Sequence, residues 1–402
     1  MPAPAARSAW KTNTEFPRKK PMSEAVMTAR AQRSQSTPYD VQLLFPVLFL
    51  VGIGIVMVYS SSSALAMKKF GSDYFFLKKQ AVFALIGICA LVACRHIPYQ
   101  VYRSLAYPLL GVAAVLLLAV LLTPLGVTAG GSRRWLRIGS IGLQPSEFAR
   151  LALIVFMAYS LEKKAHRIKD FSVGFLPHVV VMGGLALLIL KQPDFGSAVI
   201  LAGLTWLMMF VGGVRLTYLL SSCALLGLAG FYFITHAGYR MRRLLSFMNP
   251  WQYSSDEGYQ IVHSLMAFGT GGWWGAGIGN GYQKLFYLPE PHTDFIFSVI
   301  GEELGLAGVL VTILLYVVIV WKGIRIAYNA PDLFGNYLAI GLTAALGLQI
   351  CINMGVTLGL LPTKGLTLPF LSYGGTSLVL NMATVGILMN IGAAGRTARR
   401  PA

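Results

Sequence analysis

An acid stands where the chain is about to enter a long apolar run. His292, Thr293 and Asp294 lie in the stretch YLPEPHTDFIF, residues 287–297. Charge is expensive to bury near hydrocarbon, so an acid placed there is a functional candidate by default. Cations gather on what the chain's alternation makes the same side of a membrane: Arg133, Arg134, Lys191, Arg240, Arg242, Arg243, Lys284 and Lys364. The acids among them are Asp194, Asp256, Glu257, Glu290 and Asp294. This set suits chemistry at a phosphate or pyrophosphate. Fixed cations hold the phosphate oxygens. The acid acts as general base or as a metal ligand beside them. Any single cation is explained as well by a collar of Arg and Lys stems reaching lipid head groups. The set, clustered at motif-rich turns, points to a ligand.

The elements that must position these residues are membrane spans. The chain has 402 residues, of which 55% are hydrophobic and 12% charged. A soluble domain carries roughly 25% charged residues, so a polytopic all-α membrane protein is expected, with mean hydropathy +0.64. The net charge of +18 is spread between apolar runs. It therefore suits anionic lipid head groups and phosphate-bearing substrates and excludes nucleic acid as the natural partner. Cys89, Cys94, Cys223 and Cys351 fall in apolar runs without disulfide or metal spacing.

A helix crosses the hydrocarbon core with about 20 apolar residues. Ten such spans are expected: 41–60, 80–95, 104–124, 144–161, 173–190, 195–212, 215–235, 294–321, 335–360 and 373–392. Residues 1–40 read as a disordered cytoplasmic tail, 41–392 as the membrane domain and 393–402 as a cytoplasmic C-terminal tail. With both termini inside, cytoplasmic segments carry 19 Lys and Arg against 13 outside, the sense of the positive-inside rule. A long external segment spans 236–293. Within it, YQIVHSLMAFG has apolar residues at helical spacing yet is too short to cross, so 259–268 is expected as a re-entrant or interfacial helix. The following GTGGWWGAGIGNG is Gly-rich without a preceding strand, which excludes a dinucleotide fold. It reads as a packing loop, with Trp273 and Trp274 at the head-group level.

Four intramembrane polar residues need partners. Glu147 and Arg150 lie three apart in the fourth span and share a face, which predicts an ion pair. Glu302 and Glu303 lie two turns below Asp294 and are expected to pair with Arg150 or another cation. Asp294 itself is expected at a helix N-terminus. There the dipole and neighbouring cations hold it ionised.

Five stretches then carry a family resemblance: SRRWLRIGSIGLQPSEFAR, KQPDFGSAVI, YRMRRLLSFMNPW, GYQIVHSLMAFGTGGWWGAGIGNGYQKLFYLPEPHTDFIFSVIGEELG and LPTKGLTLPFLSYGGTS. Along 41–392 the chain resembles the SEDS (shape, elongation, division and sporulation) proteins. MNPW, IGEELG and the Lys-Gly at 364–365 resemble its division type. Two departures stand out: Arg150 where Lys is usual, and Pro291 where Ala is common. The resemblance implies a peptidoglycan glycosyltransferase. It would polymerise lipid II into glycan strands on the outer face of the bacterial cytoplasmic membrane, at the division septum, releasing undecaprenyl pyrophosphate with inversion. It implies Asp294 as the essential acid. Arg134, Arg240, Lys364, His292, Lys191, Asp194 and Ser372 are the substrate-binding candidates, with Glu147, Arg150, Glu302 and Glu303 as intramembrane polar residues. It also implies a single-span class B penicillin-binding transpeptidase as partner, with other division-complex membrane proteins nearby. The reading fixes no cofactor, and a divalent cation, magnesium or manganese, would find a ligand in Asp294. The alternatives are a lipid II flippase, an elongation-type polymerase, and an inactive scaffold that would have no use for Asp294.

Overall fold

The computed structural model describes residues 39–398 except 130, 131, 140, 237, 257 and 286; the side chains of Arg240 and Arg243 also lie outside the description. The expected tail is thus outside the described residues up to Pro38. Its last residue, Asp40, belongs to the folded body, with its carboxylate 3.7 Å from Arg396 and 4.0 Å from Lys322.

Each of the ten expected spans is a helix: α1 Val41–Phe70, α2 Phe75–His96, α4 Ala106–Leu122, α5 Pro145–Lys163, α6 Leu176–Leu190, α7 Phe195–Val211, α8 Leu216–Thr235, α11 Ile296–Tyr328, α12 Leu333–Thr357 and α13 Thr376–Ala398. Shorter helices α3 Gln100–Ser104, α9 Gly238–Met248 and α10 Tyr259–Gly271 complete the set among the described residues, α10 being the short helix expected in the long connection. Among the described residues, six helices are long and apolar enough to cross a membrane, counting Phe171–Leu190 as one, and α4, α7 and the first part of α8 are shorter apolar helices. The fold is a polytopic membrane bundle.

Several boundaries move. α1 runs ten residues past the expected edge. α13 continues to Ala398, so residues 393–398 are helix rather than tail. Its Gly395 lies against the Asn329 carbonyl, an approach that only a residue without a side chain permits. A three-stranded antiparallel sheet was not anticipated: β1 Gly126–Ala129, β2 Ser132–Ile138 and β3 Ile141–Leu143, in the order β1-β2-β3. It folds the connection between α4 and α5 back on itself and carries Arg133 and Arg134 on its central strand.

The bundle packs α2 along α13, α11 between α12 and α1, and α5 against α4, α7 and α12. None of the residues of α5 before Lys163 is exposed. That enclosure explains how a helix bearing Glu147 and Arg150 fits here: it faces protein on all sides and not lipid.

α11 is broken at Gly305, where φ is 65° and ψ is −165°. The break frees carbonyls and N–H groups that no water in a bilayer would satisfy. The Gly-rich loop satisfies them. Ala276 N donates to Glu302 O at 2.9 Å and Gly277 N to Glu303 O at 3.1 Å. Leu306 N donates to Gly272 O at 2.9 Å and Ala307 N to Trp273 O at 3.2 Å. A side chain on Gly305 would strike Gly275 N. The loop is a packing device, as its composition suggested, and Trp273 and Trp274 project from it, 74% and 85% exposed.

The two glutamates below Asp294 are partnered, but not by Arg150. Glu303 is fully buried and accepts from Lys284 Nζ at 2.6 Å, from Ser60 Oγ and from Gly279 N. Glu302 accepts the backbone N–H groups of Tyr282 and Gln283. The partner is Lys284 because the Gly-rich connection folds back over α11 and delivers it there. Lys284→Met leaves Glu303 buried without its cation and should destabilise the detergent-solubilised protein by about 3 kcal/mol. Thermal unfolding reads this, and adding Glu303→Gln should restore most of the loss.

Candidate active site

Asp294 occupies the turn before α11 and does not cap it. The N-cap position is Phe295, with no side-chain cap hydrogen bond. The Asp294 backbone carbonyl accepts Asn353 Nδ2 from the end of α12 at 2.9 Å. Its carboxylate faces the loop after α12: a Cβ on Gly365 would sit 2.8 Å from Asp294 Oδ2 and 3.7 Å from Arg134 Nη2. Three connections therefore meet at one point, the sheet with Arg134, the turn with Asp294 and the loop with Gly365.

The charge balance there differs from the expectation. Burial pushes the Asp294 carboxyl up to about 7; Arg134 opposes the shift and Glu290 adds to it. Dipole and cations were expected to hold the group ionised. The helix starts two residues later and the surrounding protein strips the carboxylate of water, so desolvation outweighs the single nearby guanidinium. The guanidinium's Nε is itself buried without a hydrogen-bond partner.

Lys364 reaches a fourth connection. Its stem lies over Gly196 at the start of α7, where an added Cβ would collide with Lys364 Cε. The motif KQPDFGS is thus legible in physical terms. Asp194 caps α7, accepting Ser197 N at 3.0 Å and Ser197 Oγ at 2.6 Å, and Gly196 leaves the room that Lys364 fills. Burial lowers the Lys364 ammonium to about 8, with Asp194 opposing and Arg150 adding, so it remains mostly a cation at neutral pH. Lys191 ends α6 exposed, with no acid within ion-pair distance among the described residues.

The other candidates take different roles. His292 is buried, its ring 4.7 Å from Phe76 and 5.7 Å from Tyr373. Burial lowers its pKa, with Glu290 opposing and Lys69 adding. It is a neutral wall of the site and not a phosphate-binding cation. Ser372 is buried, and its hydroxyl accepts Leu368 N at 2.7 Å, closing a turn in the loop. Arg240 falls in α9, its side chain outside the described residues. Glu147 and Arg150 do not form the expected ion pair within 4.0 Å among the described residues, and Glu147 Oε2 has no hydrogen-bond partner. They line a cavity of about 20 Å³ with Asn381 and Thr384, room for roughly one water. α13 supplies the other polar groups of that cavity, while α12 lines it with Leu342, Ala345 and Leu346. Among the described residues, no three His, Cys, Asp or Glu side chains are grouped to hold a metal.

Sequence reasoning passed over Asn353 and Gln349. Their signal was two amides four residues apart inside an apolar span, a spacing that puts both on one helix face.

These features define a polytopic membrane protein with a charged site built at the bundle end where α4, α6 and α12 finish and α5, α7, α11 and α13 begin. The family model described as "Cell cycle protein" (FtsW, RodA, SpoVE) matches residues 41–397, and the chain belongs to that family. A protein named "Probable peptidoglycan glycosyltransferase FtsW" from Trichlorobacter lovleyi is 48% identical over 355 residues, 88% of this chain and 93% of the relative. "Stage V sporulation protein E" of Bacillus subtilis is 42% identical, covering 89% and 98%. The structure titled "Structural coordination of polymerization and crosslinking by a peptidoglycan synthase complex" aligns at TM-score 0.75 with 27% identity, covering 90% of this chain and 99% of that one. Rod shape determining protein RodA of Thermus thermophilus aligns at TM-score 0.66 with 27% identity, covering 92% and 100%.

The raised Asp294 carboxyl has a measurable consequence for stability. The folded state keeps a proton that the unfolded chain releases near pH 4. The group therefore costs stability increasingly as pH rises from about 4 through about 7. Asp294→Asn removes that cost. Its thermal midpoint should exceed the parent's at pH 8, and the gap should close by pH 4.5.

Proposed function

We propose that this protein is a division-type peptidoglycan glycosyltransferase that polymerises lipid II on the outer face of the cytoplasmic membrane. The observation that carries the reading is the convergence of Asp294 with Arg134 and the Lys364 loop. It sets one carboxyl poised near neutrality beside the Arg134 guanidinium and against Gly365, the residue that follows Lys364, at the end of a membrane bundle. General bases work best when their pKa lies near the operating pH.

Asp294 takes the proton of the acceptor sugar's 4-hydroxyl. That oxygen forms a bond to the donor's anomeric carbon as the bond to pyrophosphate oxygen breaks. The electron pair leaves with undecaprenyl pyrophosphate, whose charge Arg134 and Lys364 offset, Arg through a planar fork and Lys as a point charge. Direct attack inverts the anomeric centre. A site at the bundle end suits a substrate whose polyprenyl tail stays in the bilayer, since exposing that tail to water would cost about 0.8 kcal/mol per CH₂. The excess of Lys and Arg in the segments opposite the site, 19 against 13, supports cytoplasmic termini and an external site. The family's division type supports septal action beside a class B penicillin-binding transpeptidase. The solved synthase complex, named for polymerization and crosslinking, supports such a partner.

Asparagine at 294 matches aspartate in size and cannot take a proton. Purified Asp294→Asn with its transpeptidase partner and lipid II should insert and assemble, yet make polymer at least about 100-fold more slowly. In the parent, polymerisation should rise with pH through about 7 as the carboxyl ionises. Near-parental polymer from the Asn variant would refute the assignment. Gly196→Ala should displace Lys364 and weaken lipid II binding about as much as Lys364→Met, as measured by binding to the purified protein.

A further inference from the structure

We propose that Asn353 and Gln349 are positioning residues for the transfer: two amides, one turn apart on α12, that fasten the Lys364 loop to the turn carrying Asp294. The proposal rests on the glycosyltransferase reading of the site.

The loop needs fastening. Residues 362–368 have no regular secondary structure. Among the described residues, no backbone–backbone hydrogen bond joins 362–367 to the rest of the chain. Yet this stretch presents Lys364 to Gly196 and Gly365 to Asp294. An untethered strand of this length would leave cation and base at no fixed distance from each other.

Side chains hold it. Asn353 Nδ2 donates to Leu366 O at 2.5 Å and to Asp294 O at 2.9 Å, so one amide grips both sides of the site. Gln349 Nε2 donates to Thr367 O at 2.8 Å and reaches Thr367 Oγ1 at 3.3 Å. Thr367 Oγ1 lies 3.0 Å from Ser377 Oγ, which ties the same point to α13. Both amides are 1% exposed. Their orientation follows from chemistry: each faces backbone carbonyls, which only accept, so each must present its NH₂.

The amide oxygens make the case for a specific role. Asn353 Oδ1 and Gln349 Oε1 are buried with no hydrogen-bond partner. An apolar side chain at either position would fill the space without stranding an acceptor. What only the amide supplies is the grip on the loop. A bilayer-embedded bundle without water at hand has no substitute for that donor. The clamp thus sets the spacing between the group that takes the proton and the cation that meets the leaving group, the kind of alignment on which transfer rates depend steeply.

Asn353→Asp tests this, because it keeps the shape and turns the donor into an acceptor facing two carbonyls. With partner and lipid II, the variant should polymerise at least about 10-fold more slowly, through kcat more than KM, while inserting and binding its partner normally. Trypsin should cut after Lys364 in the folded variant and spare that bond in the parent, as read by fragment masses. In a Lys364→Met background the Asn353→Asp effect should shrink to under about 3-fold, because both changes act through one loop. Parental activity in Asn353→Asp, or effects that multiply in full, would overturn the clamp. If Asn353→Asp does not fold, Gln349→Glu asks the same questions with the second amide. If the parent makes no polymer, the glycosyltransferase reading fails, and cleavage after Lys364 still decides whether the clamp exists.

Discussion

A bilayer offers no water to an unsatisfied polar group, and the unusual parts of this molecule are answers to that constraint. α11 breaks at Gly305 because the connection before it must return across the helix. Two freed carbonyls and two N–H groups are taken up by the Gly-rich loop. Glu303 has a partner in the interior because that same loop delivers Lys284 to it. The Gly-rich loop and the broken helix are one structure. Neither would hold its hydrogen bonds without the other, and together they set where α11 begins and thus where Asp294 stands.

The site inherits its chemistry from the same scarcity of water. A carboxylate in solvent beside a guanidinium would ionise well below neutrality. Here burial outweighs Arg134, and the group titrates near 7. Lys364 shows the opposite balance, kept mostly charged because Asp194 stands nearby while burial presses its pKa down to about 8. Environments that push an acid up and a base down bring both groups toward neutral pH, where a proton can move and a phosphate can be held. His292, packed between aromatic rings, is kept neutral and walls the site.

Four connections between helices build this end of the bundle. Each carries its residue on a different kind of support: a strand for Arg134, a helix start for Asp194, a turn for Asp294, an extended loop for Lys364. The first two are held by backbone hydrogen bonds and a side-chain cap. The last has no such ladder, which is why buried amides on α12 fall to holding it.

The number and order of the long helices were legible in the sequence, because hydrophobicity over about 20 residues is a local property. So were α10, the packing character of the Gly-rich loop, and Asp294 with Arg134 and Lys364 as the residues to watch. Helix ends were less legible: α1 and α13 run on past their apolar cores, and their last residues, 67–70 and 396–398, are exposed. The small sheet escaped notice because its strands are three to seven residues long and stabilise only by pairing. What the sequence by itself determined was which residue types would meet at the membrane's edge. Which cation answers which acid was decided by tertiary structure alone. Glu303 takes Lys284, Glu147 and Arg150 share a small cavity without a contact ion pair, and the Asp294 carboxyl is raised to about 7, which its neighbours in sequence gave no reason to expect. The reason is physical: ion pairing and desolvation depend on distances and enclosure created by residues far apart in the chain, and these exist only once the helices have packed.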